Sequence, residues 1–406
     1  MVFCHSPILY PKFPKWGSGE MKQKIIYQCA ECGYTTSKWM GKCPECGEWN
    51  SFTEKQEKNG SQKIAATPTE SKIIPLRAIS GTEKERIYTD ITEFDRVMGG
   101  GIVPDSVTII TSPPGGGKST LALSIGCALA KQKKRVLYAS GEESASQIKN
   151  RADRILADIQ ESIWVIADTS MNKILNAVEQ VDPDFIVLDS IQTVALEEYL
   201  PSRPGNPTQT MECAQSLVQL AKNEARPRAV LMIGQMNKND EIAGLRALEH
   251  LVDTVLVLEG EGADGLRSLS ATKNRFGNTG EIGFFTMTEK GLFSIDNPSE
   301  FFMSDRKKGE EVSGAALTVL REGSRPIVTE VESLVSKSFT PYPSRISESM
   351  KKDTLNTLIS VLEQRGGVAL YEQNVVVRTA GGLKLKEQDA DLAASVRIAS
   401  SLSNRP

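Results

Sequence analysis

The stretch SPPGGGKST, Ser112 to Thr120, decides the fold of this 406-residue chain. It departs from the phosphate-binding pattern G-x-x-x-x-G-K-[ST] only at the first position, where serine replaces glycine. The apolar run VTII precedes it, and STLALSIGCALAK follows with helical spacing. A strand, a glycine-rich turn and a helix N-terminus in this order direct backbone amides and a helix dipole at a phosphate. The stretch therefore predicts a nucleotide phosphate loop (P-loop), and the alternative is a glycine-rich turn without a ligand.

The side chains of the P-loop predict distinct roles. Lys118 would reach the β- and γ-phosphates, and the Ser119 hydroxyl would bind Mg²⁺. Ser112 can take the place of the first glycine if its backbone φ is not positive. The predicted nucleotide-binding positions are Ser112, Pro113, Pro114, Gly115, Gly116, Gly117, Lys118, Ser119 and Thr120.

Two further apolar runs end in acidic residues. FIVLDS ends at Asp189, which would orient Mg²⁺ if its strand lies beside the P-loop. YASGEES carries Glu142 and Glu143 after another strand. A carboxylate near the γ-phosphate can act as the general base for water, and we favour Glu142. The alternative for either glutamate is a solvated loop acid.

The order of elements predicts the fold class. The runs VTII, RVLYAS, FIVLDS, AVLMIG, DTVLVLE and RSLSATK alternate with helical patterns. This alternation predicts an α/β fold with a parallel or mixed sheet and helices on both faces. Several runs are apolar throughout, as expected for strands covered on two sides.

Composition excludes several function classes. The net charge is −3, so the chain has no overall basic field for holding nucleic acid, and any such contact needs local basic loops. Two histidines leave almost no place for a Ser-His or Cys-His catalytic pair. No apolar run approaches the ~18 residues that indicate a membrane span, and no signal pattern opens the chain. A cytoplasmic protein is expected.

Four of the seven cysteines form one cluster near the N-terminus. The spacing Cys29-x2-Cys32-x10-Cys43-x2-Cys46 pairs the thiolates at knuckle distance. Four thiolates complete a closed tetrahedral Zn²⁺ shell, which predicts a structural zinc site; the alternative is a redox pair. The cluster could contact DNA or a partner helicase, and its aromatic residues could stack or simply pack.

The motifs together resemble the bacterial RadA/Sms family of DNA-recombination and repair ATPases. The resemblance rests on the CxxC pairs, PGGGKST, YASGEES, FIVLDSIQT, EIAGLRALEHLVD and above all KNRFG, Lys273 to Gly277. It implies a RecA-like P-loop core in a homo-hexameric ring. Lys273 and Arg275 would then reach the neighbouring subunit's γ-phosphate. The alternative for KNRFG is a surface basic patch.

The resemblance also implies contacts with DNA. Gln235, at the end of AVLMIG, would sense the γ-phosphate, although this family often has histidine there. Lys238 and Arg246 would contact single-stranded DNA from a channel loop, unless the segment is a plain surface loop. The implied function is an ATP-dependent motor on single-stranded and branched DNA in recombinational repair, part of the response to DNA damage stress. A recombinase or a replicative helicase would be its partner.

The resemblance divides the chain into five parts. These are a disordered extension (1–28), a four-cysteine zinc finger (29–46), a linker (54–85), the RecA-like core (86–298) and an α+β Lon-protease-like domain (299–406). We expect the last to be incomplete, and Met21 to be a natural start. Asp389 stands where active Lon proteases carry serine, so proteolysis is the weakest alternative. The other is a RecA-like signalling ATPase or autokinase acting on proteins.

Overall fold

The chain divides into two compact units, Met1–Gly81 and Thr82–Pro406. The structure is a computed structural model. It describes residues 25–29, 35–36, 38–44, 47–56, 75–78, 85–235, 245–260, 265–303, 312–385 and 389–405. Within these residues, no helix is both long and apolar enough to cross a lipid bilayer. The domain bounds predicted from the sequence stay predictions.

The first unit contains a small antiparallel sheet. Its strands are β1 (Ile25–Cys29), β2 (Thr35–Thr36) and β3 (Phe52–Gln56), in the order β2-β1-β3. A short 3-10 helix covers Leu76–Ala78. Cys43 and Phe52 form the buried apolar cluster of the described part, with Tyr27 and Met40 packed against them. A core this small stabilises little by itself, so such modules generally need a metal or a disulfide.

The second unit is built on a sheet that has nine strands within the described residues. They are β4 (Val107–Ser112), β5 (Val136–Ser140), β6 (Ile163–Ala167), β7 (Phe185–Asp189), β8 (Ala229–Gln235), β9 (Thr254–Glu259), β10 (Leu266–Asn274), β11 (Ile282–Thr288) and β12 (Gly291–Ser294). The order is β12-β11-β10-β9-β4-β8-β7-β5-β6. Pairing is parallel from β6 to β9 and antiparallel from β9 to β12.

Helices cover both faces of this sheet. They are α1 (Thr92–Val97), α2 (Lys118–Lys131), α3 (Ala145–Ile155), α4 (Met171–Val181), α5 (Pro207–Ala221) and α6 (Leu245–Leu251), and a 3-10 turn covers Glu197–Tyr199. Alternate residues of β7 point to opposite faces, as strand geometry requires. Phe185 and Val187 join the core under α1–α3, and Ile186 and Leu188 join the core under α4–α6. This two-sided burial confirms the α/β fold.

The C-terminal part forms a second sheet with its own helices. Its elements are α7 (Pro298–Phe301), β13 (Ala315–Glu322), β14 (Arg325–Lys337), β15 (Arg345–Ser347), α8 (Lys352–Gly366), β16 (Gln373–Thr379), a 3-10 turn (Ala380–Gly382) and α9 (Asp389–Ser403). The strand order is β13-β14-β16-β15. Its apolar core also takes in Phe284 of β11 and Ile295, just after β12. The two sheets therefore share one hydrophobic cluster.

Candidate nucleotide site

The predicted phosphate-site residues meet at the carboxyl ends of the parallel strands of the large sheet. We call this end of the sheet the P-loop edge. The strand register pairs Ser112 with Gln235, and Asp189 with both Ser140 and Ile233. The carboxyl ends of β4, β8, β7 and β5 are therefore neighbours. Ligands of open parallel sheets bind at this edge.

The P-loop backbone needs glycine for different reasons at different positions. Gly115 (φ +78°) and Gly117 (φ +103°) have left-handed conformations, which disfavour any side chain. Gly116 lies so close to Ser112 that a Cβ atom would overlap the serine side chain. Ser112 itself ends the extended strand β4. Serine therefore fits the first position of the pattern without strain.

Lys118 is held within its own loop. Its Nζ donates to Ser112 O and Ser112 Oγ, both at 2.9 Å, and to Pro113 O at 3.2 Å. The residue is 9% exposed. Burial lowers the pKa of Lys118, and the nearby carboxylates of Asp189 and Glu142 partly oppose that shift. The ammonium group thus belongs to the first residue of α2, and its position at the helix N-terminus would favour an anionic ligand.

Asp189 ends β7 as a buried carboxylate. It is 3% exposed, and its Oδ2 accepts a hydrogen bond from the Tyr138 hydroxyl at 2.7 Å. Burial, followed by the charge of Asp189, raises the pKa of Tyr138 well above its usual range. Tyr138 therefore stays a neutral donor. Oxygen donors such as Asp189 and Ser119 suit Mg²⁺, so the residues present fit the ion.

Glu142 and Glu143 have different surroundings. Glu142 Oε1 accepts hydrogen bonds from Gln235 Nε2 at 2.8 Å and from the Ser190 hydroxyl. Glu143 instead forms a bidentate ion pair with Arg151, at 2.5 and 2.6 Å. Glu143 is thus engaged by an arginine of α3, whereas Glu142 contacts the residues that end or follow β7 and β8. The contacts therefore distinguish Glu142, which the sequence analysis favours as the base, from Glu143.

A cleft of about 500 Å³ joins these groups. Its lining is Pro114, Gly115, Gly116, Gly117, Lys118, Ser119, Thr120, Glu142, Glu143, Arg151, Arg154, Asp189, Ile233, Gln235 and Met287. Sequence reasoning missed Arg151, Arg154 and Met287, as well as Ser190 and Tyr138. The signal that could have found Arg151 is its position on the helix that follows YASGEES.

Lys273 and Arg275 lie near the amino ends of the parallel strands, at the end of the sheet opposite to the P-loop. We call this end the KNRFG edge. In the strand register Asn274 pairs with Thr254, and Thr254 with Thr108, near the start of β4. Lys273 Nζ donates to the main-chain oxygens of Glu249 and of Val252, the latter at 2.8 Å. Burial lowers the pKa of Lys273, and the positive charge of Arg275 adds to that shift.

Arg275 reaches the same segment as Lys273. Its Nη1 lies 3.2 Å from Oδ1 of Asp253, while the arginine side chain stays 53% exposed. The buried Asp253 also binds Lys222 at 2.7 Å and the Val107 amide at 3.0 Å. The two cations therefore both contact the segment from Glu249 to Asp253.

Close backbone packing fixes the KNRFG segment. A Cβ atom on Gly277 would lie 2.9 Å from the Cα of Gly99, so a side chain there would force the backbones apart. Asn274 Nδ2 donates to the main-chain oxygens of Val97 and Met98, each at 3.3 Å. The segment is thus docked on the loop after α1.

The remaining predicted residues are described in part. Lys238 lies outside the described residues, and Arg246 and Asp389 lie in α6 and α9, where only their backbone is described. Of the four cysteines, Cys43 is buried and Cys29 ends β1, while Cys32 and Cys46 lie outside the described residues.

Two main-chain hydrogen bonds join Cys43 to the residues that follow Cys46. The Cys43 amide donates to Glu48 O, and Cys43 O accepts from the Gly47 amide, both at 2.9 Å. Gly47 has a φ of +78°. A left-handed glycine lets the chain turn tightly right after the Cys-x2-Cys pair. Four thiolate donors around such turns fit Zn²⁺.

A second cavity, of about 580 Å³, lies at the edge of the sheet that carries KNRFG. Its lining includes Arg86, Asp184 and Arg226. Asp184 and Arg226 form an ion pair at 2.8 Å. None of the predicted phosphate-loop residues lines this cavity, so it is separate from the candidate nucleotide site.

Comparisons with known proteins extend these observations. The family description "Rubredoxin metal binding domain" matches residues 27–54, and "AAA domain" matches residues 75–241. The DNA repair protein RadA of Halalkalibacterium halodurans is 42% identical over 388 residues, covering 95% of this chain and 84% of that protein. The Bacillus subtilis protein of the same name is 41% identical over 390 residues, with the same coverage. A solved structure of an ATPase domain is 14% identical with a TM-score of 0.43, covering 53% of this chain and 94% of that one.

Proposed function

This chain belongs to the family of the DNA repair protein RadA, and we propose that it works as a ring-shaped ATPase motor on single-stranded DNA. The chain is an ATP-hydrolysing DNA repair protein with a P-loop core and a zinc ribbon. The proposed motor processes branched recombination intermediates in the cytoplasm, as a homo-hexamer, with a recombinase or a replicative helicase as its partner.

One observation carries the ring proposal. Lys273 and Arg275 lie at the sheet edge opposite to their own P-loop. From Thr108 to Ser112, β4 advances four residues, or about 13 Å at the rise of a strand. The pair is therefore separated by about that distance from the nucleotide that its own subunit would bind. A neighbour placed edge to edge would offer its phosphate cleft to these cations, which would stabilise transition-state charge there.

The cleft supports hydrolysis within each subunit. Lys118 would bind the β- and γ-phosphates, and Ser119 and Asp189 would hold Mg²⁺. The ion, when bound, would neutralise phosphate charge. Ser190 and Gln235 fix the Glu142 carboxylate, which would accept the proton of the attacking water.

Gln235 would link that base to DNA. Its side chain binds Glu142, and the chain runs directly from it into the residues that contain Lys238 and Arg246. We propose that these two cations contact DNA phosphates. DNA binding would then shift Gln235, and with it the orientation of Glu142. ATP turnover would consequently rise in the presence of single-stranded DNA.

A mixing experiment tests the shared site. Lys118→Ala and Lys273→Ala should each abolish ATP turnover, and only Lys118→Ala should greatly weaken nucleotide binding. In a random equimolar mixture, about one half times one half of the interfaces, or about a quarter, are intact. ATP turnover measured with single-stranded DNA should recover accordingly. A mixture of assembled rings that stays inactive contradicts the proposal.

DNA dependence is tested separately on the unmodified chain. Turnover is measured with and without single-stranded DNA at low salt, where phosphate contacts are strongest. Stimulation supports the motor. The absence of both stimulation and DNA binding would favour the signalling ATPase instead.

A further inference from the structure

The first unit exposes two tryptophans. Trp39 is 55% exposed and Trp49 is 69% exposed. The buried cluster of this unit uses Cys43 and Phe52 instead. Two large aromatic rings in water on so small a module are unexplained by its folding, because neither ring belongs to that cluster. Exposed tryptophans of this kind indicate a binding surface.

The two rings flank one short, basic segment. Lys42 forms a β-bridge with Trp49, and its Nζ lies 5.4 Å from the centre of the Trp49 ring. The Asn50 amide donates to Gly41 O at 2.9 Å, which holds the two segments together. A Cβ atom on Gly41 would lie 3.8 Å from the Trp39 ring, so that ring lies beside Gly41. We call Trp39, Lys42 and Trp49 the tryptophan surface.

We propose that the tryptophan surface binds single-stranded nucleic acid. Bases stack on exposed aromatic rings whatever their sequence, and ammonium groups beside the rings bind the phosphates. Lys42 lies over the Trp49 ring as a cation–π contact. The highly exposed remainder of that ring is open to a base.

The charge beside the rings decides between nucleic acid and a protein partner. Lys38 and Lys42 are exposed on this segment, and a purely apolar protein site would bury these ammonium groups at a cost. Glu48, also exposed, is the neighbouring acid and should weaken phosphate binding. The inference adds a nucleic-acid contact outside the ATPase unit, and it does not rest on the proposed motor.

The test uses the full-length, zinc-loaded chain and a fluorescein-labelled oligothymidylate, with binding followed by anisotropy. Trp49→Ala and Trp39→Ala should each raise Kd by about fivefold or more, in line with the loss of one stacked base. Trp49→Phe should retain most of the affinity. Trp164→Ala is the matched control, because Trp164 is 39% exposed on β6 of the other unit. It should change nothing.

Charge variants give a second readout. Lys42→Gln should weaken binding and lower the slope of log Kd against log salt by about one. Glu48→Gln should tighten binding. Zinc content and melting temperature are measured for each variant. Unchanged affinity in the Trp39→Ala/Trp49→Ala variant, with full zinc content, overturns the proposal.

Crosslinking separates this inference from the motor. An oligonucleotide containing 5-iodouracil is irradiated with the full chain, and the attached peptides are mapped. Attachment within residues 38–50 supports the inference even if DNA fails to stimulate ATP turnover. Attachment only beyond residue 85, with stimulated turnover, overturns the inference and leaves the motor intact.

Discussion

Lys118 and Lys273 lie at opposite ends of one sheet, and their ammonium groups have similar surroundings in two respects. Each donates to two main-chain carbonyls, and burial lowers the pKa of each. They differ in what surrounds them. Lys118 has the acids Asp189 and Glu142 nearby, whereas Lys273 has the cation Arg275 nearby as well as the acids Asp253 and Glu249. The first edge combines a cation with acids suited to hold a metal and take a proton, and at the second edge Asp253 is engaged by Arg275 and Lys222.

The difference teaches that the two edges are complementary. The P-loop edge has the groups expected to bind a nucleotide and activate water, while at the KNRFG edge the acid Asp253 is already paired with Arg275 and Lys222. Within one subunit, the two edges are separated by the length of the strands. A substitution at one edge should therefore leave the structure of the other edge intact.

The largest expected effect is at the P-loop edge. Glu142→Gln removes the proposed base but keeps a side chain that can bond to Ser190. We expect kcat for ATP to fall by about 10²-fold or more, with Kd for ATP nearly unchanged. Glu143→Gln is the control, because Glu143 is engaged by Arg151. Similar losses in both variants would contradict the assignment of Glu142.

The next effect is at the KNRFG edge. Gly277→Ala places a Cβ 2.9 Å from the Gly99 backbone, which must move. Such overpacking costs about 1–3 kcal/mol. We expect a lower melting temperature and a DNA-stimulated rate that falls about tenfold, as the neighbouring cations are displaced.

A matched glycine tests that explanation. Gly280 has open space around an added Cβ and no positive φ. Gly280→Ala should therefore leave both the melting temperature and the rate unchanged. Equal losses at the two glycines would show that close packing is not the cause.

A smaller effect concerns the buried carboxylate under Arg275. Asp253→Asn removes a charge that binds Arg275 and Lys222. Both cations are partly exposed, so solvent screening reduces the loss to about 1–2 kcal/mol. Urea unfolding measures it. Asp168→Asn, which breaks a surface pair with Lys173, should cost less. The opposite ranking would remove Asp253 as the anchor of this edge.

The smallest effect is a change in protonation at Lys118. Because burial lowers the pKa of Lys118 below 10.5, its ammonium loses its proton at a lower pH in the free protein than an exposed lysine does. Phosphate favours the ammonium form, so ATP binding at alkaline pH should take up a fraction of one proton. Calorimetry in two buffers of different ionisation enthalpy measures the uptake. Proton release on binding would reverse the sign and contradict the prediction.

Local patterns allowed most of the fold and the family to be predicted. The P-loop, and the strands ending at Asp189 and Gln235, are contiguous in sequence, and the structure and the relatives confirm the α/β core and the RadA resemblance. Strands β6, β11 and β12 were missed. The run IWVIA of β6 has only five residues and forms an edge strand. Its residues are all apolar, so no alternation of apolar and polar residues marks it as a strand.

The missed site residues depend on distant contacts. Met287 enters the cleft from β11, far along the chain from the P-loop, and no local pattern marks it. The pairing of Glu143 with Arg151 depends on helix α3, and that of Glu142 with Ser190 on the end of β7. Spacing alone cannot choose between two adjacent glutamates when the deciding partners come from different elements. The predicted site roles stay predictions until activity is measured.

The hydrophobic cluster shared by the two sheets has a practical consequence. Phe284 is 3% exposed and Ile295 is 8% exposed, because residues of the C-terminal sheet cover them. A protein shortened to end at residue 298 would present both side chains to water. Such a fragment should associate through that uncovered surface, so its apparent size would report an artificial contact and could not be used to test the proposed ring.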